Sequence, residues 1–224
     1  MRRYDVVTFD CYGTLIDWET GIAEAFLAAA GTEGLTLDRG AVLAAYAELE
    51  PEVEAGRFRP YREVLVETAV RVARRLGWGI TGQGARFLPE SLPRWRPFPD
   101  TGPALEALHR AGYALGILSN VDDDLLAGTL GHFPVRVDLL VTAQQVGSYK
   151  PAHGHFLEAR RRLGGRRWLH AAQSYFHDVE PAAALGIPVV WVNRKSESPG
   201  GAARPDREVP DLAALVEWLD AGGG

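Results

Sequence analysis

Residues 4–15 read YDVVTFDCYGTL. An apolar run, Tyr4–Phe9, meets a carboxylate at Asp10 and then a turn that carries Gly13. The run is rich in valine and aromatics and does not alternate strictly with polar residues. That is the pattern of a strand buried on both faces of a parallel sheet. Four further runs share it: Tyr113–Leu118, Val137–Val141, Trp168–Ala172 and Ile187–Val192. Between them, Thr101–Arg110, Asp122–Leu130, Gly154–Leu163, Glu180–Leu185 and Pro210–Leu219 read as helices. Gly112, Gly131, Gly164 and Gly186 stand where those helices should end. Strands alternating with helices predict an α/β fold, a doubly wound parallel (Rossmann-like) sheet.

One segment breaks the alternation. From Asp17 to about Trp95 there is no good strand, and Ile22–Ala30, Asp38–Glu54, Tyr61–Leu76 and Thr81–Glu90 read as helices. Leu92–Pro99 holds three prolines and reads as an extended linker. The expectation is a sheet domain of residues 1–16 and 96–224, with a helical domain of residues 17–95 inserted after the first strand. Lys195–Arg207 reads as a polar loop and Ala221–Gly224 as a frayed tail.

Composition narrows the function classes without naming one. The 224 residues are 46% hydrophobic and 24% charged, a globular balance that excludes a wholly disordered chain, a collagen and a bare coiled coil. The net charge of −5 argues against nucleic acid and anionic membrane as partners. No run approaches the roughly 20 apolar residues of a membrane span, and the first ten residues leave no room for a signal-peptide apolar region. The single cysteine, Cys11, excludes an intrachain disulfide and a cysteine-based zinc site and suits a reducing cytoplasm.

The chemistry lies at the strand ends. Asp10 follows the first strand, Ser119 and Asn120 the second, Lys150 the loop after the third, and Asp178 the turn after the fourth. Parallel strands would bring these groups to one edge of the sheet, where such sheets bind ligands. A lysine beside an aspartate keeps it ionised and lowers its pKa, and an ionised, poorly solvated aspartate is a competent nucleophile. A second carboxylate there can serve as general base for water or merely orient the lysine. Ser119 and Thr14 can hold an oxyanion or a substrate carboxylate, with Asn120 beside them, although Ser119 also reads as a helix N-cap. Asp122–Asp124 has the look of a metal cluster but reads as the first turn of a helix. Of the histidines, His177 adjoins Asp178 and is a candidate for proton transfer; the others, His170 among them, read as structural.

Taken in order, FDCYGTLIDWE, LSN, SYKP and HDVEPAAALGIP resemble the four motifs of the haloacid dehalogenase superfamily, over the whole chain. The resemblance implies Asp10 as nucleophile, Ser119 as the second motif, Lys150 as the third, Asp178 as the fourth, and residues 17–95 as the family's cap. Most members are magnesium-dependent phosphatases whose first motif is DxD. Here the second acid is Tyr12, and the early acidic metal ligand of the fourth motif falls at Gln173 or Ser174. Tyr12 resembles the L-2-haloacid dehalogenase branch, which needs no metal. In that branch the aspartate displaces halide from C2 of a 2-haloacid and water hydrolyses the ester. Halide leaves without a proton, so the missing acid is not needed.

The alternative is a phosphatase holding Mg²⁺ on Asp10 and Asp178. The branch also binds its substrate with a cap arginine near the start of the second cap helix, where this chain has Ala45, Tyr46 or Ala47, so that Arg57, Arg59 and Arg62, later in the cap, are the candidate substitutes, and with an asparagine whose place is taken here by Tyr175. Tyr12, Thr14, Ser119, Asn120 and Tyr175 therefore form the expected substrate-binding set. The expected partner is a small anionic molecule, and family habit implies a homodimer.

Overall fold

The computed structural model describes residues Arg2–Gly222; of the tail expected to fray, Gly223 and Gly224 lie outside the described residues. Six strands form one sheet: β1 (Val6–Phe9), β2 (Ala114–Ser119), β3 (Leu139–Thr142), β4 (Trp168–Ala172), β5 (Val189–Val192) and β6 (Arg207–Val209). Their order is β3-β2-β1-β4-β5-β6, and every neighbouring pair is parallel. Every residue of β1, β4 and β5 is buried, which accounts for their unbroken apolar runs. The chain winds from β1 to β3 on one side and resumes with β4 on the other side of β1. The topological switch point therefore falls between β1 and β4, where ligands bind in open α/β sheets.

The expected strands are all present, with β1, β3 and β5 each starting two residues later. The sequence reading missed β6. It is a three-residue edge strand whose Arg207 and Glu208 are exposed, so it carries no apolar signal. Asp206 ties it in: its N–H donates to the Val189 carbonyl at 2.8 Å, and its carboxylate accepts the Val189 N–H at 2.9 Å. The expected Thr81–Glu90 helix is instead a 3₁₀ turn, Gly84–Arg86, followed by a short helix, Phe87–Ser91. Gly82, Gly84 and Pro89 disfavour a continuous helix there.

Contacts divide the chain into two compact units. One contains the sheet and takes in the chain up to Asp17, Pro97–Asn120 and the chain from Leu130 onward. The other is helical and contains Trp18–Arg96 together with Val121–Thr129. Its helices span Trp18–Thr32, Arg39–Glu54, Tyr61–Arg75 and Phe87–Ser91, joined by most of Asp123–Leu130. Two contacts explain why Val121–Thr129, expected in the sheet domain, belongs to the helical unit. Gly128 lies against Pro93, close enough that a Cβ there would come within 2.8 Å of the proline ring. Asp122 does not serve its own helix alone: its carboxylate accepts the N–H groups of Tyr61 and Arg62, both at 2.9 Å.

Those two N–H groups open the Tyr61–Arg75 helix, whose N-cap residue, Pro60, offers no side-chain cap. Asp122 is buried and supplies the cap from elsewhere in the chain. Asp122→Ala is therefore expected to lower the unfolding free energy by about 1–2 kcal/mol, read as a lower denaturant midpoint with an unchanged slope.

Candidate active site

Asp10 is the first residue beyond β1, and its N–H still donates to the Ala171 carbonyl of β4 at 3.2 Å. Beyond it, Gly13 turns back at φ 102°, a left-handed conformation that favours glycine. The turn returns Thr14 to Asp10. The Thr14 hydroxyl donates to Asp10 Oδ2 at 3.0 Å and accepts the Gln173 N–H at 2.9 Å. Arg194 fixes the turn from behind, donating twice to the Thr14 carbonyl and pairing with Asp100.

Lys150 sits at the centre. Its Nζ donates to Asp10 Oδ1 at 2.8 Å, to Asp178 Oδ1 at 2.6 Å and to the Leu118 carbonyl of β2 at 2.9 Å. All three ammonium hydrogens thus have acceptors. Asn120 holds the lysine's main chain at two points: its Oδ1 accepts the Lys150 N–H at 2.7 Å, and its Nδ2 donates to the Lys150 carbonyl at 3.1 Å. Lys150 joins Pro151 through a cis peptide bond.

Burial and charge then divide the carboxylates. Burial pushes the Asp178 carboxyl up, but the Lys150 charge and the contacts from His170 and Lys150 outweigh it and hold the group at about 2. Asp10 moves the other way. Burial raises it, Lys150 offsets part of the rise, and the Asp178 charge adds to it. The expectation that Lys150 would leave Asp10 below the usual carboxylate value is corrected here, because one ammonium is shared between two buried acids. Lys150 itself is raised: burial lowers it, and the two carboxylates more than compensate. Of the two acids, the Asp10 side chain keeps 11% exposure and that of Asp178 none, so Asp10 is the more open to an incoming molecule.

The expected binding residues separate. Ser119 is buried, its carbonyl accepts from His155 at 3.0 Å, and its Oγ has no hydrogen-bond partner among the described residues. A buried, unpaired hydroxyl favours a polar visitor. Tyr12 is half-buried and bridges to Ile16. Thr14, expected on substrate, holds Asp10, and Asn120, also expected there, holds Lys150. Tyr175, also expected on substrate, is buried. Its hydroxyl donates to the carbonyls of Gly201 and Ala203, and its ring packs edge-on to Trp191 at 5.1 Å. An aromatic ring in that apolar surrounding packs as core, where an asparagine would not.

His177 is tied to its own turn, with its N–H and Nδ1 both on the Ser174 hydroxyl, and burial lowers its pKa. Within the helical unit, Arg59 pairs with Glu67 at 2.7 Å and donates to the Val53 carbonyl at 3.0 Å. Arg62 pairs with Asp124, and Arg57 is exposed.

The phosphatase alternative would place Mg²⁺ on Asp10 and Asp178. Asp10 and Asp178 both present Oδ1 to an ammonium, and the nearby Gln173 and Ser174 supply no carboxylate. Among the described residues, no group of three or more His, Cys, Asp or Glu side chains is placed to hold a metal. The reading from motifs also passed over His170. Its Nε2 lies 3.0 Å from Asp178 Oδ1 and its Nδ1 2.9 Å from the Thr8 hydroxyl. Two polar residues inside all-apolar strands, at positions paired across β1 and β4, were the available signal.

Comparison with known proteins agrees with this arrangement. A family model for haloacid dehalogenase-like hydrolases matches residues 4–167. The chain is 25% identical over 230 residues to (S)-2-haloacid dehalogenase of Pseudomonas putida, covering 98% of each. It is 26% identical over 225 residues to haloacetate dehalogenase H-2 of Moraxella sp. (strain B), covering 98% of this chain and 99% of that one. In fold it is similar to the solved L-2-haloacid dehalogenase from Xanthobacter autotrophicus with chloropropionic acid covalently bound. The TM-score is 0.80 at 20% identity, covering 97% of this chain and 98% of that one. With the matched model spanning most of its length and the four motifs meeting at one edge of the sheet, the chain belongs to the haloacid dehalogenase-like hydrolases.

Proposed function

We propose that the protein hydrolyses short 2-haloacids to 2-hydroxy acids through an ester on Asp10, without a metal. The observation that carries this reading is the Asp10–Lys150–Asp178 bridge, together with Tyr12 where a leaving-group acid would stand. A carboxylate of Asp10 attacks C2 of the haloacid; the new C–O bond forms as the carbon–halogen bond breaks, and halide leaves with the electron pair. Water then attacks Cγ of the Asp10 ester and gives a proton to Asp178. The bond from Cγ to the ester oxygen breaks, the departing oxygen takes that proton from Asp178 to become the 2-hydroxyl, and the regenerated Asp10 carboxyl releases its proton to water. The buried Ser119 hydroxyl, without a partner among the described residues, is a donor for the substrate carboxylate. Curated relatives named for (S)-2-haloacids and haloacetate support this substrate class. The lone, buried Cys11 suits a reducing cytoplasm.

Halide release from 2-chloropropionate is expected to persist in excess EDTA and to vanish in Asp10→Asn. No release across several 2-haloacids would sink the proposal, and magnesium-stimulated hydrolysis of p-nitrophenyl phosphate would favour the phosphatase. Because Asp10 must be ionised to attack and its carboxyl is raised by burial, kcat/KM is expected to fall on acidification. The fall should begin above the ordinary aspartate range of about 4 and follow the protonation of one group. Lys150→Met leaves two buried carboxylates facing each other. It is expected to cost about 3–5 kcal/mol of stability, measured by urea unfolding, with the deficit growing as pH rises and the acids ionise.

A further inference from the structure

Asp178 Oδ1 takes two donors, Lys150 Nζ at 2.6 Å and His170 Nε2 at 3.0 Å, while Asp178 Oδ2 is buried without a partner among the described residues. An ionised carboxylate has no hydrogen to give, so Nε2 carries the hydrogen of the His170 contact. Three neighbours fix the imidazole. Thr8, its register partner on β1, bonds Nδ1 at 2.9 Å, and the Thr8 hydroxyl also lies 3.3 Å from the Leu169 carbonyl. Phe156 packs edge-on against the ring at 5.2 Å. On the other flank of Thr8 stands Gly116, where a Cβ would come within 2.9 Å of the threonine methyl. The row Gly116–Thr8–His170 thus crosses three strands and ends on the carboxylate.

Resting on the dehalogenase reading above, we infer that His170 is a positioning residue for the second half of the reaction. Its Nε2–H, with Lys150, pins Asp178 by Oδ1 and leaves Oδ2 as the atom that accepts the proton of the hydrolytic water. Lys150 alone cannot fix this choice, because a carboxylate held by one donor rotates about its Cβ–Cγ bond. The first step has no proton transfer and does not depend on Oδ2. His170 should therefore act on ester hydrolysis and leave alkylation of Asp10 intact. Nothing in the four motifs points to this residue.

The test separates the two steps. Wild type, His170→Leu, His170→Gln and Thr8→Val are mixed with 2-chloropropionate, halide release is followed through the first turnover, and intact mass reports the ester on Asp10. His170→Leu is expected to release its first equivalent of halide at nearly the wild-type rate and then to turn over roughly 10–100-fold more slowly, with ester accumulating. His170→Gln, which keeps an N–H near the Nε2 position, should restore turnover to within several-fold. Thr8→Val should fall between them, which keeps the idea testable if His170→Leu fails to fold. Equal turnover in all four proteins would overturn the inference. So would joint loss of both steps in folded His170→Leu, the mark of a merely structural role. A wild type that releases no halide defeats the underlying reading as well, and is recognised because it fails before any variant is compared.

Discussion

Everything at the sheet's carboxyl edge depends on one buried ammonium. Two aspartates taken out of water would each cost several kcal/mol if ionised alone, and Lys150 makes both affordable by standing between them. Its third bond, to the Leu118 carbonyl, ties the pair to β2, and Asn120 fixes the main chain from which the lysine extends. The division of labour between the acids follows from this geometry. Asp178 has a second donor in the His170 Nε2–H and stays ionised. Asp10 has the neutral Thr14 hydroxyl in addition to the lysine and retains some exposure. It is the more basic carboxylate of the two and the more exposed.

The sequence made the sheet legible because parallel strands buried on both faces need unbroken apolar runs, and Val6–Phe9 and Trp168–Ala172 are such runs. It hid β6, which is short, charged and at the edge, where burial leaves no imprint. The strand-end groups Asp10, Lys150 and Asp178 were legible through their order along the chain, and the structure brings them within hydrogen-bond distance. What could not be read was which polar side chains face a visitor and which are occupied in holding others. Thr14, Asn120 and Tyr175 have the composition of binding residues. Their partners are Asp10, the Lys150 main chain and the carbonyls of Gly201 and Ala203. Partner choice of this kind is set by three-dimensional neighbours 26 to 30 positions away for Tyr175 and Asn120, beyond the reach of local pattern.

Asp122 makes the same point at larger scale. Three consecutive acids suggested a cation or the dipole of their own helix. One of the three instead supplies the missing cap of a helix that starts sixty-one residues earlier. Proline at the N-cap of that helix left a demand that the local sequence could not meet, and a distant carboxylate met it. The domain boundary moved with it, because a segment belongs with the unit whose backbone hydrogen bonds it completes.

The row Gly116–Thr8–His170 gives strand register a chemical meaning. Side chains alternate between the faces of a strand, so a slip of one residue between β1 and β4 would set Leu169 or Ala171 where His170 now stands. Such a slip would remain apolar, well packed and parallel, yet its Asp178 would have lost a donor. Hydrophobic burial alone would hardly distinguish the two pairings, because both faces of these strands are covered. The polar row does distinguish them, since only the native pairing joins Thr8 to an imidazole. The groups that tune the chemistry are thereby also an alignment key for the sheet, and selecting for one selects for the other.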